Sequence, residues 1–417
     1  MKILMFAPQP FLEPRGTPIS VYQRLQALSV LQYQVDLITY HVGQDVSIPG
    51  VKVHRSPHLP FIKSVKLGPS WPKAFLDVLL FCQGIALLLV NRYDVIHSHE
   101  EAAFWSVLLA KVFRTRHVYD MHSSLPQQLA TCPRWNYRPF VKLFEVLERW
   151  VISTCDAVIT IGVDLEERVM AINPKARTVL MQNLAVLADG AGLSHTSASE
   201  LREKLRLDNK LAVVYTGTFE RYQGLDLLLR SAKIVKEHYP DVIFILVGGD
   251  PRQVEHWRHQ FGLCGLGDSV IFTGTVPLAD SIAYLDIAEI LVSPRTQGTS
   301  VPLKIYSYLH SGKPIVATDL TAHSQVLNTE MAVLVAPTEE AFANGILALA
   351  QSPDVRKRLG LRAQQFARER FDPADYLVKL ERLYQELIPT SRRSEQAARS
   401  PQSDSTHTPQ EQWLRHP

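Results

Sequence analysis

The chain has 417 residues, of which 46% are hydrophobic and 20% charged. These proportions suit a soluble globular protein of two or three domains and exclude a disordered chain, a collagen or a coiled coil. The 44 Lys and Arg against 41 Asp and Glu leave a net charge of +3, which gives no electrostatic footprint for nucleic acid.

The four cysteines, Cys82, Cys132, Cys155 and Cys264, are far apart and form no Cys-x-x-Cys pair. This argues against a disulfide framework or a structural zinc site and points to a reducing cytoplasm. At the start, the apolar run is short and is broken by Pro8 and Pro10. Residues 2–7 therefore read as a first strand rather than a leader.

In chain order, a helix follows at 19–31 and strands at 35–40 and 51–55. The run 74–90, AFLDVLLFCQGIALLLV, is about long enough to span a bilayer, but Asp77 and Gln83 interrupt it. It is expected to be a buried helix of an α/β layer. Strands at 95–98, 117–121 and 157–161 alternate with helices at 102–112, 140–153 and 163–170. This βα alternation predicts a mostly parallel sheet with helices on both faces.

The pattern then breaks at 188–200, a small, polar, glycine-containing stretch expected to be a linker. Strands resume at 211–216, 242–248, 270–273, 290–293 and 315–318, with helices between them and onward to about 387. Two doubly wound α/β domains result, over 1–187 and 201–372. The tail 390–417 is rich in Ser, Gln, Arg and Pro and is expected to be disordered.

The first βα junction lacks Gly-x-Gly-x-x-Gly, so a dinucleotide site loses its main support. Gly16 and Thr17 sit just ahead of a helix, where a ligand could approach backbone amides. His122, in YDMHSS, falls at the carboxyl end of a strand, where open α/β sheets bind ligands. His97, His99 and Glu100 follow another strand, yet no third metal ligand is evident at a suitable spacing, and no metal is expected.

In the second half, YTGTFERYQGLDLLL places Gly217 and Gly224 around a loop carrying Arg221 and Gln223. LVGGD, with Gly248, and FTGTV are further glycine-tipped strand ends. The segment SPRTQGTSVPLKIYSYLHSGKPIVATD carries Arg295, Gln297, Gly298, Thr299 and Ser300 in a polar loop. A helix then opens near Pro302, with Lys304 in its first turn and Ser307 one turn later. Free amides at such a helix start favour an anion, whereas a cation there opposes the helix dipole. A phosphate beside Lys304 would resolve that conflict.

On these motifs the chain resembles the family 4 retaining glycosyltransferases of GT-B fold, over roughly residues 1–388. The resemblance implies two Rossmann-like domains facing a central cleft, the first taking the acceptor and the second a nucleotide-sugar donor. A last helix at 373–389 would cross back to the first domain. It implies His122 as the catalytic-side histidine, and donor binding by Gly217, Arg221, Gln223, Gly248, Arg295, Gly298, Thr299, Ser300, Lys304 and Ser307. Gly16 and Thr17 would lie on the acceptor side. No metal or other cofactor is implied, the nucleotide sugar being a substrate.

This sequence departs from the family pattern. The two glutamates of the family's Glu-x7-Glu segment are replaced by Thr299 and Ser307, and its Arg and Lys by Thr218 and Gln223. Arg221, Arg295 and Lys304 are the candidate replacements for the missing positive charge. A non-catalytic, nucleotide-sugar-binding or scaffolding subunit is the alternative reading. The acceptor is expected to be a glycan or a lipid-linked intermediate. The apolar run and the Lys63, Lys66 and Lys73 segment interleaved with Phe61 and Trp71 suggest peripheral contact with the inner face of the cytoplasmic membrane.

Overall fold

The computed structural model describes residues 1–13, 16–62, 65, 70–131, 136–185, 197–277 and 280–388. It contains two compact units. The first is Met1–Asn183 together with the helix from Pro373, and the second is Leu184–Asp372.

Unit 1 begins with β1 (Lys2–Ala7), α1 (Gly16–Val30), β2 (Gln34–Thr39) and β3 (Val51–Arg55). It continues with α2 (Trp71–Val90), β4 (Val95–His99), α3 (Ala102–Phe113), β5 (Arg116–Met121) and α4 (Leu125–Thr131). Next come α5 (Arg138–Thr154), β6 (Ala157–Thr160), α6 (Val163–Ile172) and β7 (Thr178–Leu180). The seven strands are parallel, in the order β3-β2-β1-β4-β5-β6-β7. Leu4, Phe6, Ile38 and Ile96 point to one face of this sheet and pack with Leu76, Leu80 and Leu88 of α2 and Ala102 of α3. Gly84 is needed there, because a Cβ would lie 2.3 Å from the Phe6 ring.

Unit 2 begins with α7 (Ala198–Lys204), β8 (Leu211–Thr216), α8 (Leu225–His238), β9 (Val242–Val247), α9 (Pro251–Leu263) and β10 (Val270–Gly274). It continues with α10 (Ser281–Asp286), β11 (Ile290–Ser293), α11 (Lys304–Ser311), β12 (Ile315–Thr318) and α12 (Thr321–Ser324). The unit closes with β13 (Ala332–Val335), α13 (Glu339–Ala350) and α14 (Pro353–Arg370). Its six parallel strands run β10-β9-β8-β11-β12-β13, with an apolar core on each face. Strand order therefore reverses between β8 and β11, so the loops after those strands flank the crevice where such sheets take ligands. The last helix, α15 (Pro373–Leu387), belongs to unit 1.

The structure corrects several expectations. Strands β7 and β13 and helix α4 are short elements without a clear sequence period. Of the expected linker, 188–196 lies outside the described residues, and its end is helical. Ser197 caps α7 through a reciprocal capping box with Glu200. The tail 390–417 also lies outside the described residues. Helix α2 is not a buried layer helix: only Leu76, Leu80, Gly84 and Leu88 are buried along its length.

Candidate active site

In unit 1 the chemistry gathers around Asp120 at the carboxyl end of β5. The Asp120 carboxylate is fully buried and pairs with Arg24 of α1, Nε to Oδ2, at 2.9 Å. His97 Nε2 lies 3.2 Å from the same oxygen. A carboxylate oxygen can only accept, so His97 donates through Nε2, and its Nδ1 accepts from the Tyr384 phenol of α15.

His122 stands just past β5, only 4% exposed. Its Nε2 is 3.1 Å from Nδ1 of His99 and 3.3 Å from Oδ1 of Asp120. Its Nδ1 has no partner among the described residues. Burial pushes the His122 imidazole down to about 4 against the pull of Asp120, so it is neutral near pH 7. Burial alone would raise the Asp120 carboxyl, yet Arg24, His122 and His97 together hold it well below the carboxylate range. Beside it, Ser123 donates to Glu100, and burial with the neighbouring Glu101 raises the Glu100 carboxyl to about 7.

Sequence reasoning weighed Glu100 with His97 and His99 as metal ligands and expected no metal there. The side chains that converge are instead His97, His99 and Asp120, whose ligand atoms lie within 4.8 Å of one another. By distance this set could hold a cation, but Arg24 already neutralises the same carboxylate oxygen. Gly16 opens α1, is exposed, and has open space around it, with Thr17 next to it on the helix.

In unit 2 the strand-end glycines are explained by close backbone approaches. Gly217 sits at φ +137°, and its N–H donates to Val247 O at 2.9 Å. A Cβ on Gly248 would lie 2.0 Å from Gly217 O, and one on Gly224 would lie 1.9 Å from Pro294 O. The loops after β8 and β11 are also tied by Thr296 N–H donating to Tyr222 O at 3.0 Å.

Lys304, the first residue of α11, extends toward this junction. Its ammonium lies 3.8 Å over the Tyr215 ring and 3.2 Å from where a Gly217 Cβ would be. The nitrogen is out of contact with solvent and has no hydrogen-bond partner among the described residues. Burial, and then the nearby Arg295 guanidinium, hold it well below the usual lysine range. Arg295 folds back on its own loop, donating from Nε to Gln297 O at 2.6 Å and stacking 5.1 Å from the Tyr222 ring. Lys304 and Arg295 thus share a pocket, and neither pairs with a carboxylate among the described residues. An anion would relieve that arrangement.

Not every predicted donor residue joins them. Arg221 is exposed on a 3-10 turn, and its guanidinium has no partner among the described residues. Gln223 is buried on the same turn. Thr299 is exposed and its carbonyl accepts from Gln325 at 2.7 Å. Gly298, at φ +97°, packs against the Arg295 guanidinium, and Ser300 is half-buried in the same loop. Ser307 is half-buried on α11, three residues after Lys304 and so on the same helix face. Sequence reasoning missed His323. It bridges Ser293 at 2.8 Å and the Thr318 carbonyl at 2.7 Å, and burial pushes it down to about 4.

Comparisons with known proteins identify the family and the fold. Residues 15–183 match the family described as "Glycosyl transferase 4-like domain", and residues 210–352 match "Glycosyl transferases group 1". The chain belongs to the family 4 glycosyltransferases. This glycosyltransferase is 27% identical to the phosphatidyl-myo-inositol mannosyltransferase of Mycobacterium leprae, over 94% of its own length and 98% of the relative's. It is 23% identical to the alpha-D-kanosaminyltransferase of Streptomyces kanamyceticus, over 70% and 77% of the two chains. Among solved structures, it is similar to sucrose-phosphate synthase from Thermosynechococcus elongatus, with TM-score 0.72, 19% identity, and coverage of 93% and 98%. It is also similar to Anabaena HepE in complex with UDP-glucose, with TM-score 0.71, 17% identity, and coverage of 93% and 100%. The fold of this glycosyltransferase is GT-B.

Proposed function

We propose that this glycosyltransferase is a retaining enzyme. It moves a sugar from a nucleotide-sugar donor to a hydroxyl of a glycan or lipid-linked acceptor, on the cytoplasmic side of a membrane. The observation that carries the reading is the desolvated, unpartnered Lys304 ammonium beside Arg295, at the point where unit 2's strand order reverses. Such a pair favours the negative charge that grows on a departing diphosphate. With two protein cations in that place, the reading assigns no metal and no other cofactor.

His122 contributes a neutral imidazole whose Nδ1 is left to meet the transferred sugar. Gly217 keeps the space in front of Lys304 open, and Gly224 lets the β8 loop lie against the β11 loop. The names of the relatives support the donor and acceptor classes. One is a mannosyltransferase named for a phosphatidyl-inositol, and one solved neighbour was captured with UDP-glucose.

Thermal unfolding with UDP, GDP, ADP and their sugar conjugates, with and without chelator, tests the donor reading. A ligand that binds the native state raises the midpoint by mass action. A selective rise that survives chelation is expected. A second reading, a non-catalytic subunit, is favoured by Thr299 and Ser307 standing where the family carries glutamates. No rise with any nucleotide at millimolar concentration would sink the donor reading and favour that one.

A further inference from the structure

Unit 1 has a crevice of its own. Strand order reverses between β1 and β4, so the loops after those strands flank the place where a parallel sheet takes a ligand. Glu100 is the first residue past β4. It is half-buried and sits at φ +50°, in the left-handed region that a residue with a side chain rarely adopts. Glycine would hold that turn at lower cost, and the carboxyl is presented there against a local preference. Ser123, next to His122, donates to Glu100 Oε2 at 3.0 Å, whereas Oε1 has no hydrogen-bond partner among the described residues. On the opposite bank stands Gln9, the second residue past β1. Gln9 is 8% exposed, and its Nε2 is buried without a partner among the described residues.

The charge around Glu100 selects what it can hold. Glu101 adjoins it in the chain, and Lys73 of α2 is spent on Glu101 at 2.6 Å. Asp77, one turn further along α2, accepts from the Tyr40 phenol at 2.5 Å. Asp120 of β5 is already matched by Arg24. An anionic ligand would therefore meet carboxyls with no spare cation beside them. A hydroxyl is both donor and acceptor, and it meets Glu100 Oε1 to accept its proton bond and a carboxamide on the facing bank to donate one. Of the lysines expected at a membrane surface, Lys73 is thus turned inward, and Lys63 and Lys66 lie outside the described residues.

We propose that Glu100 is a substrate-binding residue of unit 1, where its carboxylate accepts a hydrogen bond from a hydroxyl of an uncharged ring bearing several hydroxyls. The proposal rests on the transferase reading and narrows it. The part of the acceptor that enters unit 1 is a neutral polyol, and any charged group it carries lies outside the reach of Glu100.

The test is saturation-transfer NMR on the full chain with methyl α-glucopyranoside and methyl α-mannopyranoside at millimolar concentration. The corresponding uronates, the same rings carrying a carboxylate, serve as anionic counterparts. Two variants accompany the wild type. Glu100→Gln keeps the shape and removes the charge, and Glu100→Gly removes the side chain and relieves the left-handed backbone. Melting temperatures near wild type are expected for both, and the isosteric glutamine variant keeps the test decisive where the glycine variant fails to fold. The neutral probes receive saturation from the wild type, and the uronates far less. The signal falls roughly tenfold in Glu100→Gln, as a charge-assisted hydrogen bond becomes a neutral one, and is lost in Glu100→Gly. Wild type that binds neither neutral probe overturns the proposal. So does neutral-probe binding that both variants leave unchanged, since the probes then sit elsewhere. So does a uronate that binds better than its neutral parent. The thermal shift given by nucleotide is unchanged in both variants. Were it absent from the wild type as well, the donor reading would fail while the sugar probes still reported on Glu100.

Discussion

Tyr384 and His97, 287 positions apart in the chain, meet in a buried hydrogen bond between the last helix and the middle of β4. That contact fixes the His97 tautomer, and His97 in turn holds Asp120, whose other oxygen faces His122. Helix α15 is thereby part of the frame that positions the candidate catalytic histidine. Tyr384→Phe removes one hydroxyl and leaves the buried His97 Nδ1 unpaired. A loss of about 1–3 kcal/mol is expected in urea unfolding. Turnover should fall with little change in KM, as for a group acting on His122 orientation. An unchanged unfolding midpoint would remove the hydroxyl from the frame.

Asp120→Asn tests the centre of the same network. It leaves the Arg24 guanidinium, 3% exposed, without its counter-charge. Breaking a buried pair in this way typically costs about 3–5 kcal/mol. Unit 1 should therefore unfold at markedly lower denaturant. The paired change Asp120→Asn with Arg24→Met removes both charges and should recover part of the loss. A double variant no better than the single one would show that the charge pair is not the cause.

Acid should weaken this protein well above the ordinary carboxylate range. His122 and His323 are each pushed down to about 4 by burial, and His117 to about 3. An unfolded histidine takes up its proton near pH 6.5. Between that pH and about 4, each of these imidazoles binds more proton in the unfolded state than in the native one, so stability falls as pH falls. Glu100, raised to about 7, works in the opposite direction, because the native carboxyl takes its proton before the unfolded one does. Burial also raises the Asp77 and Glu148 carboxyls and lowers the His97, His99 and His310 imidazoles, so six imidazoles against three carboxyls leave a net loss. Urea midpoints should drop from pH 6.5 to 4, and His323→Asn should flatten the slope. A flat profile over that window would mean these imidazoles are not held neutral. The depressed Asp120 carboxyl adds its own loss only at lower pH, as the unfolded carboxyl takes its proton first.

Much of this was legible in the sequence, and the parts that were not share a cause. The strand–loop–helix order, the glycine-tipped strand ends, His122 and Lys304 follow from local pattern, because each depends on neighbours a few residues away. Arg24, Asp120 and Tyr384 escaped notice, since their meaning lies in partners 96 and 287 positions distant. Arg221 was expected to supply charge because it sits in the right loop. The 3-10 turn that carries it leaves it exposed, and spacing alone does not fix the direction of a side chain on so short an element. Helix α2 misled in a related way. Its apolar composition reads as burial, whereas the pairing of Lys73, Asp77 and Gln83 with unit 1 decides which face turns inward.

Gly224→Ala probes the backbone contact that brings the β8 and β11 loops together. The residue sits at φ +77°, and a Cβ would be 1.9 Å from the carbonyl oxygen of Pro294. Both the left-handed conformation and the clash act against alanine. A loss of more than about 1 kcal/mol is expected, together with weaker nucleotide stabilisation. Retention of the full thermal shift by nucleotide would separate the loop contact from donor binding.

Lys304→Met gives the sharpest separation of stability from function. In the free protein the Lys304 nitrogen is desolvated, unpartnered and close to Arg295, so it costs stability whether it stays charged or gives up its proton. Methionine keeps most of the length of the stem and removes the charge. The variant should unfold at the same midpoint or higher, by up to about 1–3 kcal/mol, the usual penalty for an unsatisfied buried polar group. Nucleotide binding should change in the opposite direction. A hydrogen bond to a charged group contributes about 1.5–3 kcal/mol, which corresponds to roughly a 10- to 100-fold weaker Kd when it is lost. Calorimetric titration with the nucleotide that stabilises the wild type provides the measurement. A variant that is less stable and binds nucleotide as before would place Lys304 in the packing of unit 2 and remove it from the donor site.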